Sequence, residues 1–293
     1  MKIAVMGDGA WGKALAFVAT KAGHDVVIWS RRNPSHLQAD ASIIAVPAQA
    51  VRDVIPHVKS SVIISAAKGI ERETGWTMAE VVKHLAPSAE FYALSGPSFS
   101  ADVLAGLPTA VTLAGPNLVD ATKWAAAFTL PSFRIYASDD VTGVEIGGAL
   151  KNVLAIACGI IDGCGLGESA RASLITRGFA ELTRYGRKLG AKPETLMGLS
   201  GLGDLLLTSS SAKSRNHSFG LAIGRGATAA DAMKQSSGVV EGAYTAAIAA
   251  KLAKQHGVDM PIINAVHAII DGGSNPTEEI SKLLARPVSV EFK

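Results

Sequence analysis

The chain has 293 residues, a length that suits one large domain or two of ordinary size, and 48% of them are hydrophobic, enough for a sizeable core. Its net charge is only +3 and its basic residues are scattered, which argues against nucleic acid as a partner. Its two cysteines, Cys158 and Cys164, are too few for a disulfide framework or a zinc site, so we expect a reducing compartment and no metal.

The first 32 residues carry the signals of a strand, a tight glycine turn, a helix and a second strand. The apolar run 3–6 predicts the first strand, and residues 13–22 and 25–29 predict the helix and the second strand. Between them lies GDGAWG at 7–12, which has the G-x-G-x-x-G spacing of a dinucleotide-binding turn.

Each glycine of this turn has its own task in a dinucleotide site. Gly7 makes the tight turn, Gly9 lets the backbone approach a pyrophosphate, and Gly12 lets the helix pack on the strand. The phosphates then lie at the helix N-terminus, where free N–H groups favour an anion. We interpret the stretch as a dinucleotide site. The alternative is a glycine-rich turn that binds nothing.

Two arginines, Arg31 and Arg32, follow the second strand where an NAD site usually presents an acidic residue. A guanidinium there suits a ribose 2′-phosphate, so the sequence favours NADP(H), with NAD(H) still possible. The alternative is that both arginines are solvated surface charges. The next strand, 42–47, arrives early, so the link 31–41 is unusually short for a parallel crossover, and 36–40 supplies about one helical turn at most.

The remainder of the first half alternates strands with helices, which predicts a Rossmann-like, doubly wound, mostly parallel sheet. Ligands bind such sheets outside the carboxyl ends of the strands, where Lys68, Gly96 and Ser98 fall. The predicted helices are 49–58, 76–86 and 117–129, and the predicted strands are 60–66, 90–94, 109–113 and 133–136.

From residue 139 onward the pattern becomes helical, so we predict a Rossmann domain over 1–138 and an all-helical domain over 139–293. The most apolar stretch, 144–161, contains Glu145 and Lys151, which indicates a buried helix rather than a membrane span. Because the chain also leaves no room for a signal peptide before its first strand, we expect a soluble cytoplasmic protein. The predicted helices are 141–161, 170–189, 219–225, 228–234, 242–256, 261–271 and 277–284.

Lys151 is the unusual residue of the apolar helix, because Gly147, Gly148 and Ala155 leave it without bulky cover. If it points into a cleft, burial or a nearby cation such as Lys68 lowers its pKa towards neutrality and suits it to proton transfer with a carbonyl or hydroxyl oxygen. The alternative is that it extends to the surface on its apolar stem.

Two features further along suggest a substrate site. The glycine-rich turn 199–204 ends in Asp204, a candidate polar site residue or simply a cap. Ser214, Arg215 and Asn216 together suit a phosphate monoester, although the serine-rich stretch 208–214 is also what a mobile surface loop looks like. Among the seven histidines, only His217 lies beside this candidate clamp.

These motifs, taken in order, resemble the bacterial NAD(P)-dependent glycerol-3-phosphate dehydrogenases. The resemblance implies reduction of dihydroxyacetone phosphate to sn-glycerol 3-phosphate, a phospholipid precursor, by a Rossmann domain followed by a helical domain, and we expect a homodimer. It is carried by GDGAWG at 7–12, AAKG at 66–69, SGPSF at 95–99, GVEIGGALKNVLAIACGIIDG at 143–163, ITRGFAEL at 175–182, GLSGLGDLLLT at 198–208, SRNHSFG at 214–220 and VVEG at 239–242.

The resemblance also implies roles for particular residues. Lys151 is the general acid, Lys68 the second lysine near the reacting carbon, and Asp204 the group that orients lysine and substrate. The implied substrate contacts add Gly96, Ser98, Ser214, Arg215 and Asn216. The implied cofactor contacts are Gly7, Gly9, Ala10, Trp11, Gly12, Arg31, Arg32, Ser100, Val239 and Glu241, with Lys68 and Arg215 contacting both ligands.

The short link 31–41 departs from this family, whose members carry a longer segment there, beside the adenosine end of the cofactor. Two rival functions stay open at this point. One is a related two-domain reductase of a non-phosphorylated keto or hydroxy acid, in which Arg215 holds a carboxylate. The other is a non-catalytic dinucleotide sensor.

Overall fold

The computed structural model describes residues 1–32, 38–287 and 290–291. Within the described residues, the first half of the chain forms one seven-stranded sheet with the strand order β2-β1-β3-β4-β5-β6-β7. The strands are β1 Lys2–Met6, β2 Asp25–Trp29, β3 Ala41–Ile44, β4 Val62–Ser65, β5 Glu90–Ser95, β6 Thr109–Ala114 and β7 Phe133–Ser138.

The strand order reverses at β1, and a ligand-binding crevice is expected at the carboxyl end of that strand. β1 pairs in parallel with β2 on one side and with β3 on the other. The connection after β1 therefore leads to the strand on one side of it, and the connection after β2 leads to the strand on the other side. The glycine turn lies at the carboxyl end of β1, where these two connections diverge. All other neighbouring strands are parallel except β5 and β6, so the predicted mostly parallel sheet is confirmed.

Helices cover both faces of the sheet. One apolar core includes Leu15 and Phe128, and the core on the opposite face includes Met6 and Val81. The helices of this half are α1 Ala10–Lys21, α2 Val51–Val54, α3 Met78–Leu85, α4 Ser100–Leu104 and α5 Leu118–Phe128.

Three local predictions for this half differ from the structure. The predicted helix 49–58 is broken into a 3₁₀ turn Ala48–Ala50, α2 and a second 3₁₀ turn Ile55–His57, because Pro56 has no N–H to continue an α-helix. The short helix α4 was not predicted. Residues 36 and 37 of the turn predicted at 36–40 lie outside the described residues, and 38–40 contain no helix.

The second half is helical, as predicted. Helices begin two residues after the last strand and occupy most of the chain up to Leu284. They are α6 Val141–Gly163, α7 Glu168–Lys188, α8 Pro193–Met197, a π-helical turn Leu199–Gly203, α9 Asp204–Ser209, α10 Arg215–Gly224, α11 Ala229–Gln235, α12 Glu241–His256, α13 Pro261–Ile270 and α14 Pro276–Leu284.

Helix α6 runs through the centre of this half. Its length and hydropathy would suffice to cross a membrane, but 94% of its most apolar window is buried inside the protein, as expected for a core helix. Helix α10 crosses it at very short range: a Cβ added to Gly159 would lie 2.1 Å from the carbonyl oxygen of His217, and one added to Gly220 would lie 2.1 Å from that of Ile156. Glycine is therefore required at this crossing.

Candidate active site

The glycine turn after β1 has the shape of a phosphate cradle. Gly7 has a φ of +128°, and a Cβ there would lie 2.7 Å from the carbonyl oxygen of Ala45. A Cβ on Gly12 would lie 2.0 Å from the carbonyl oxygen of Gly7, so α1 packs directly on the turn. Gly9 is different, because no other group of the described residues lies within 4 Å of the position its Cβ would take.

The open space at Gly9 lies at the N-terminus of α1. Gly9 is the N-cap residue, and no side chain in the part of the chain that the structure describes caps the helix. The first N–H groups of α1 therefore have no intrahelical acceptor and favour an anion. The turn and this helix end together fit the pyrophosphate of a dinucleotide.

Two lysines and one aspartate meet at the carboxyl end of the sheet. Lys151, on α6, donates a hydrogen bond of 2.8 Å to Oδ1 of Asp204, the first residue of α9. Lys68, in the segment after β4, donates one of 2.6 Å to Oδ2 of the same carboxylate. Lys68 also donates to the carbonyl oxygen of Gly96, after β5. Lys151 points into the protein interior, so the alternative of a lysine that extends to the surface is excluded.

Burial sets the charge balance of this centre. It lowers the pKa of Lys151 to about 8, with the nearby Lys68 ammonium acting in the same direction and Asp204 opposing it. Burial alone would raise the pKa of Asp204, but the ammonium groups of Lys151 and Lys68 hold it below its usual value. At neutral pH one buried carboxylate thus faces two ammonium groups.

Thr208 completes the centre and was not singled out from the sequence. Its hydroxyl accepts a 2.8 Å hydrogen bond from Lys151 and donates to Oδ1 of Asp204. Thr208 and Asp204 lie four residues apart on α9, so both face Lys151 from one side of the helix. That i, i+4 spacing was the signal available in the sequence.

Asn152, next to Lys151, joins this centre to two other helices and was likewise not assigned a role. Its amide nitrogen donates to the carbonyl oxygen of Lys68, and its amide oxygen accepts from Asn216 on α10. The amide oxygen of Asn216 accepts in turn from the backbone N–H of Gly242 on α12. The amide of Asn216 therefore serves the interior rather than the cleft.

The three residues of the predicted phosphate clamp open α10. Ser214 is the N-cap residue, and its hydroxyl accepts from the backbone N–H of His217. The N–H groups of Arg215 and Asn216 lie in the first turn, where a helix has no acceptor for them. The guanidinium of Arg215 lies near residue 238: a Cβ on Gly238 would be 2.6 Å from its Nη1. This is a helix N-terminus with an arginine beside it, an arrangement that suits an anion.

Glu241, at the start of α12, reaches from the helical half to the sheet half. Its Oε1 accepts a 3.1 Å hydrogen bond from the backbone N–H of Ala48. Its Oε2 is buried and has no hydrogen-bond partner among the residues that the structure describes. Burial raises the pKa of Glu241 to about 7 against the opposing effects of Ala48 and Arg215.

The matching family is described as NAD-dependent glycerol-3-phosphate dehydrogenase. Its C-terminal profile matches residues 140–281, and its N-terminal profile matches residues 2–38 and 34–121. The chain belongs to this family.

Known glycerol-3-phosphate dehydrogenases align with this family member along its full length. The glycerol-3-phosphate dehydrogenases [NAD(P)+] of Brucella ovis and Erythrobacter litoralis are each 46% identical to it, and the alignments cover at least 98% of each chain. A crystal structure of glycerol-3-phosphate dehydrogenase from Coxiella burnetii superposes with a TM-score of 0.91 at 35% identity, covering 97% of this chain and 99% of that one.

The alignments also bear on the short link of this family member. The Brucella ovis alignment is 327 positions long although this chain has 293 residues, so the relative carries residues that this chain lacks. The N-terminal profile matches in two pieces that overlap at 34–38, between β2 and β3. This is the result that a shortened link between those strands produces.

The other residues predicted to contact the cofactor lie on the surface or near the starts of helices. Arg31 forms an exposed ion pair of 2.9 Å with Asp53, and Arg32 is also exposed. Ala10 and Trp11 begin α1, Ser100 begins α4, and Val239 precedes α12 by two residues. The preference for NADP(H) therefore stays a prediction.

Proposed function

We propose that the protein reduces dihydroxyacetone phosphate to sn-glycerol 3-phosphate at the expense of a reduced nicotinamide dinucleotide, with NADPH preferred through Arg31 and Arg32. The observation that carries the proposal is the buried group of Lys151, Asp204 and Lys68. It lies at the strand ends between a dinucleotide turn and an anion-binding helix end. A ketone phosphate and a dinucleotide are the two ligands that such a cleft suits.

The reaction needs a hydride and a proton. The turn at Gly9 and the N-terminus of α1 would hold the pyrophosphate of a nicotinamide dinucleotide, which would supply the hydride when bound. Lys151 gives its proton to the ketone oxygen as negative charge develops there. Lys68 is the second positive group beside that oxygen and stabilises the charge. Asp204 and Thr208 hold the Lys151 ammonium in one position, which reduces the reorganisation needed during the reaction.

The pKa of Lys151 suits both directions of the reaction. At about 8 it leaves the residue mostly protonated at neutral pH, as a general acid requires. The neutral amine left after proton transfer is also a competent base for the reverse oxidation. An unperturbed lysine would hold its proton too tightly for that second role.

The phosphate of the substrate binds at the N-terminus of α10. The N–H groups of Arg215 and Asn216 and the guanidinium of Arg215 provide its positive environment. Ser214 fixes the turn as its N-cap, while Gly96 and Ser98 border the pocket on the sheet side. The Arg215 guanidinium also lowers the pKa of Glu241, which supports a role for Arg215 beside both ligands.

The biological setting follows from the product. Glycerol 3-phosphate is the precursor of glycerophospholipids, and we infer a cytoplasmic homodimer that supplies it. Sedimentation equilibrium of the purified chain tests the dimer: a single species at the monomer mass would contradict it.

The decisive experiment is the loss of NADPH absorbance on adding dihydroxyacetone phosphate. Lys151→Ala should lower kcat by about 10³-fold, within the range for loss of a general acid. Lys123→Ala removes an exposed lysine of α5 that pairs with Asp120, and it serves as the matched control. Activity of the Lys151 variant within about tenfold of the parent would refute the assigned role.

Substrate comparison separates this function from its rivals. A reductase of keto acids would act on 2-keto acids at least as well as on dihydroxyacetone phosphate, and Arg215→Ala would impair both. Under our proposal, the variant loses activity chiefly on the phosphorylated ketone. A dinucleotide sensor would bind NADPH tightly and turn over none of these compounds.

A further inference from the structure

A half-buried chain of polar groups lies directly behind the phosphate clamp. Arg171, on α7, donates to both carboxylate oxygens of Asp162 on α6, at 3.1 and 2.9 Å. Nε2 of His217, on α10, lies 2.8 Å from Oδ2 of the same carboxylate. The side chain of His217 is 8% exposed and that of Asp162 18%, so little solvent screens the contact.

This chain fixes which ring nitrogen donates. The oxygens of the Asp162 carboxylate are acceptors, and both already accept from Arg171, so Nε2 of His217 is the donor in the hydrogen bond to Oδ2. The other ring nitrogen, Nδ1, is buried and has no hydrogen-bond partner within the described part of the chain. The ring is therefore anchored through Nε2 alone.

The His217 ring belongs to the first turn of α10, the same turn that contains the phosphate clamp. His217 follows Arg215 and Asn216 in the first turn of α10, and its backbone N–H donates to the N-cap hydroxyl of Ser214. A tilt or rotation of this turn would redirect both the free N–H groups and the Arg215 guanidinium. The close contacts at Gly159 and Gly220 fix how α10 lies on α6, and the Nε2 bond of His217 adds a side-chain anchor to the first turn of α10.

We infer that His217 is a positioning residue for substrate phosphate, acting through its Nε2 bond to Asp162. This inference rests on the proposed function for the identity of the substrate. His217 touches neither substrate nor cofactor in this view. It aims the first turn of α10, and the Asp162–Arg171 pair behind it keeps the acceptor in place.

Two amide variants separate this role from a general packing role. Glutamine places its amide nitrogen near the position of Nε2, whereas asparagine reaches only the position of Nδ1. His217→Gln should therefore keep KM for dihydroxyacetone phosphate within about twofold, and His217→Asn should raise it about tenfold, the cost expected for a lost charge-assisted hydrogen bond. The slow turnover of dihydroxyacetone, which has no phosphate, should be equal in both variants.

A second measurement does not depend on turnover. Inorganic phosphate at millimolar concentration should raise the melting temperature of the parent and of His217→Gln, but not that of His217→Asn. His267→Asn, at the exposed His267–Asp271 pair of α13, is the control for the substitution. Melting without phosphate shows whether each variant is folded.

The outcomes are distinct. Equal KM values for the glutamine and asparagine variants, or equal phosphate stabilisation of both, would overturn the inference. An equal loss on dihydroxyacetone and its phosphate would also overturn it, because it would reveal a purely structural role. If the parent did not reduce dihydroxyacetone phosphate, the proposed function would fail, while the phosphate-dependent melting would still decide the role of His217.

Discussion

Nζ of Lys151 lies 2.8 Å from Oδ1 of Asp204, and the two side chains are 8% and 1% exposed. The second oxygen of the carboxylate is occupied by Lys68 at 2.6 Å. One negative charge thus holds two positive ones, and the centre keeps an excess positive charge for an oxygen that becomes negative in the transition state. The Asp204 carboxylate offsets the cost of burying two ammonium groups. The remaining positive charge is available to stabilise the reacting oxygen.

Asp204→Asn should therefore damage both stability and activity. Removing one partner of a buried ion pair leaves uncompensated charge, so the free energy of unfolding should fall by about 3–5 kcal/mol. We expect kcat to fall at least about 100-fold, because Lys151 loses its orientation and much of its proton affinity. Urea unfolding and steady-state kinetics measure the two effects. Asp120→Asn, at the exposed pair with Lys123, is the control, and a variant within about tenfold of the parent would contradict the role.

The pH dependence of the reaction should follow Lys151. Because this residue donates a proton during reduction, kcat/KM for the ketone should be level below about pH 7 and fall about tenfold per pH unit above the pKa of about 8. Oxidation of glycerol 3-phosphate requires the neutral amine and should rise through the same range. A reduction rate that stays level up to pH 10 would argue against Lys151 as the acid.

Thr208 should act by positioning the Lys151 ammonium. Thr208→Val keeps the shape of the side chain but removes the acceptor at 2.8 Å, so we expect kcat to fall about tenfold with little change in KM for either ligand. Thr208→Ser retains the hydroxyl and should stay within about threefold of the parent. Equal rates for the valine and serine variants would show that the hydroxyl is unimportant.

Two glycines of the dinucleotide turn should respond differently to the same substitution. A Cβ at Gly9 meets no protein atom within 4 Å, so Gly9→Ala should fold normally and lose NADPH affinity, because the methyl group occupies the space for the pyrophosphate. A Cβ at Gly12 would lie 2.0 Å from the carbonyl oxygen of Gly7, so Gly12→Ala should also lose several degrees of melting temperature. Melting curves and NADPH titrations separate the two. Unchanged NADPH affinity in Gly9→Ala would contradict the placement of the phosphates.

Elements bounded by strong local signals could be predicted from the sequence. The strand Asp25–Trp29 was predicted with its observed bounds because a glycine turn precedes it and arginines follow it. The long helix α6 was evident from its apolar length. The short helices α4 and α9 were missed, because five or six residues carry no usable periodicity and depend on tertiary packing.

The charged residues of the active centre could be predicted from the sequence, but the hydrogen bonds between them could not. Lys68 and Asp204 are 136 residues apart, and no local pattern shows that they share a hydrogen bond. Asn152 and Thr208 are neutral residues without a distinctive chemical signature, so only the fold reveals their contacts. The exposed setting of Arg31 likewise leaves the cofactor preference to kinetics with NADPH and NADH.

The buried carboxylate of Glu181 should make the stability of the helical half depend on pH. Its two oxygens accept from the backbone N–H groups of Ile262 and Ile263 at the start of α13, and burial raises the pKa of the group to about 7. In the unfolded chain its pKa returns to about 4.5. Between these values the folded protein binds the proton more tightly, so the stability derived from this group declines as pH rises from about 4.5 to about 7 and is constant above that range.

Glu181→Gln isolates this contribution. The variant has no proton to lose, so the parent should lose stability relative to it between pH 5 and pH 8, by about 3 kcal/mol at most. Other titrating groups are common to both proteins and cancel in the difference. Urea unfolding at the two pH values measures it, with Glu194→Gln at an exposed position as the control for the substitution. A parent whose stability relative to Glu181→Gln did not change between pH 5 and pH 8 would show that the pKa of Glu181 is not raised, as when the N–H groups of the helix N-terminus hold it ionised.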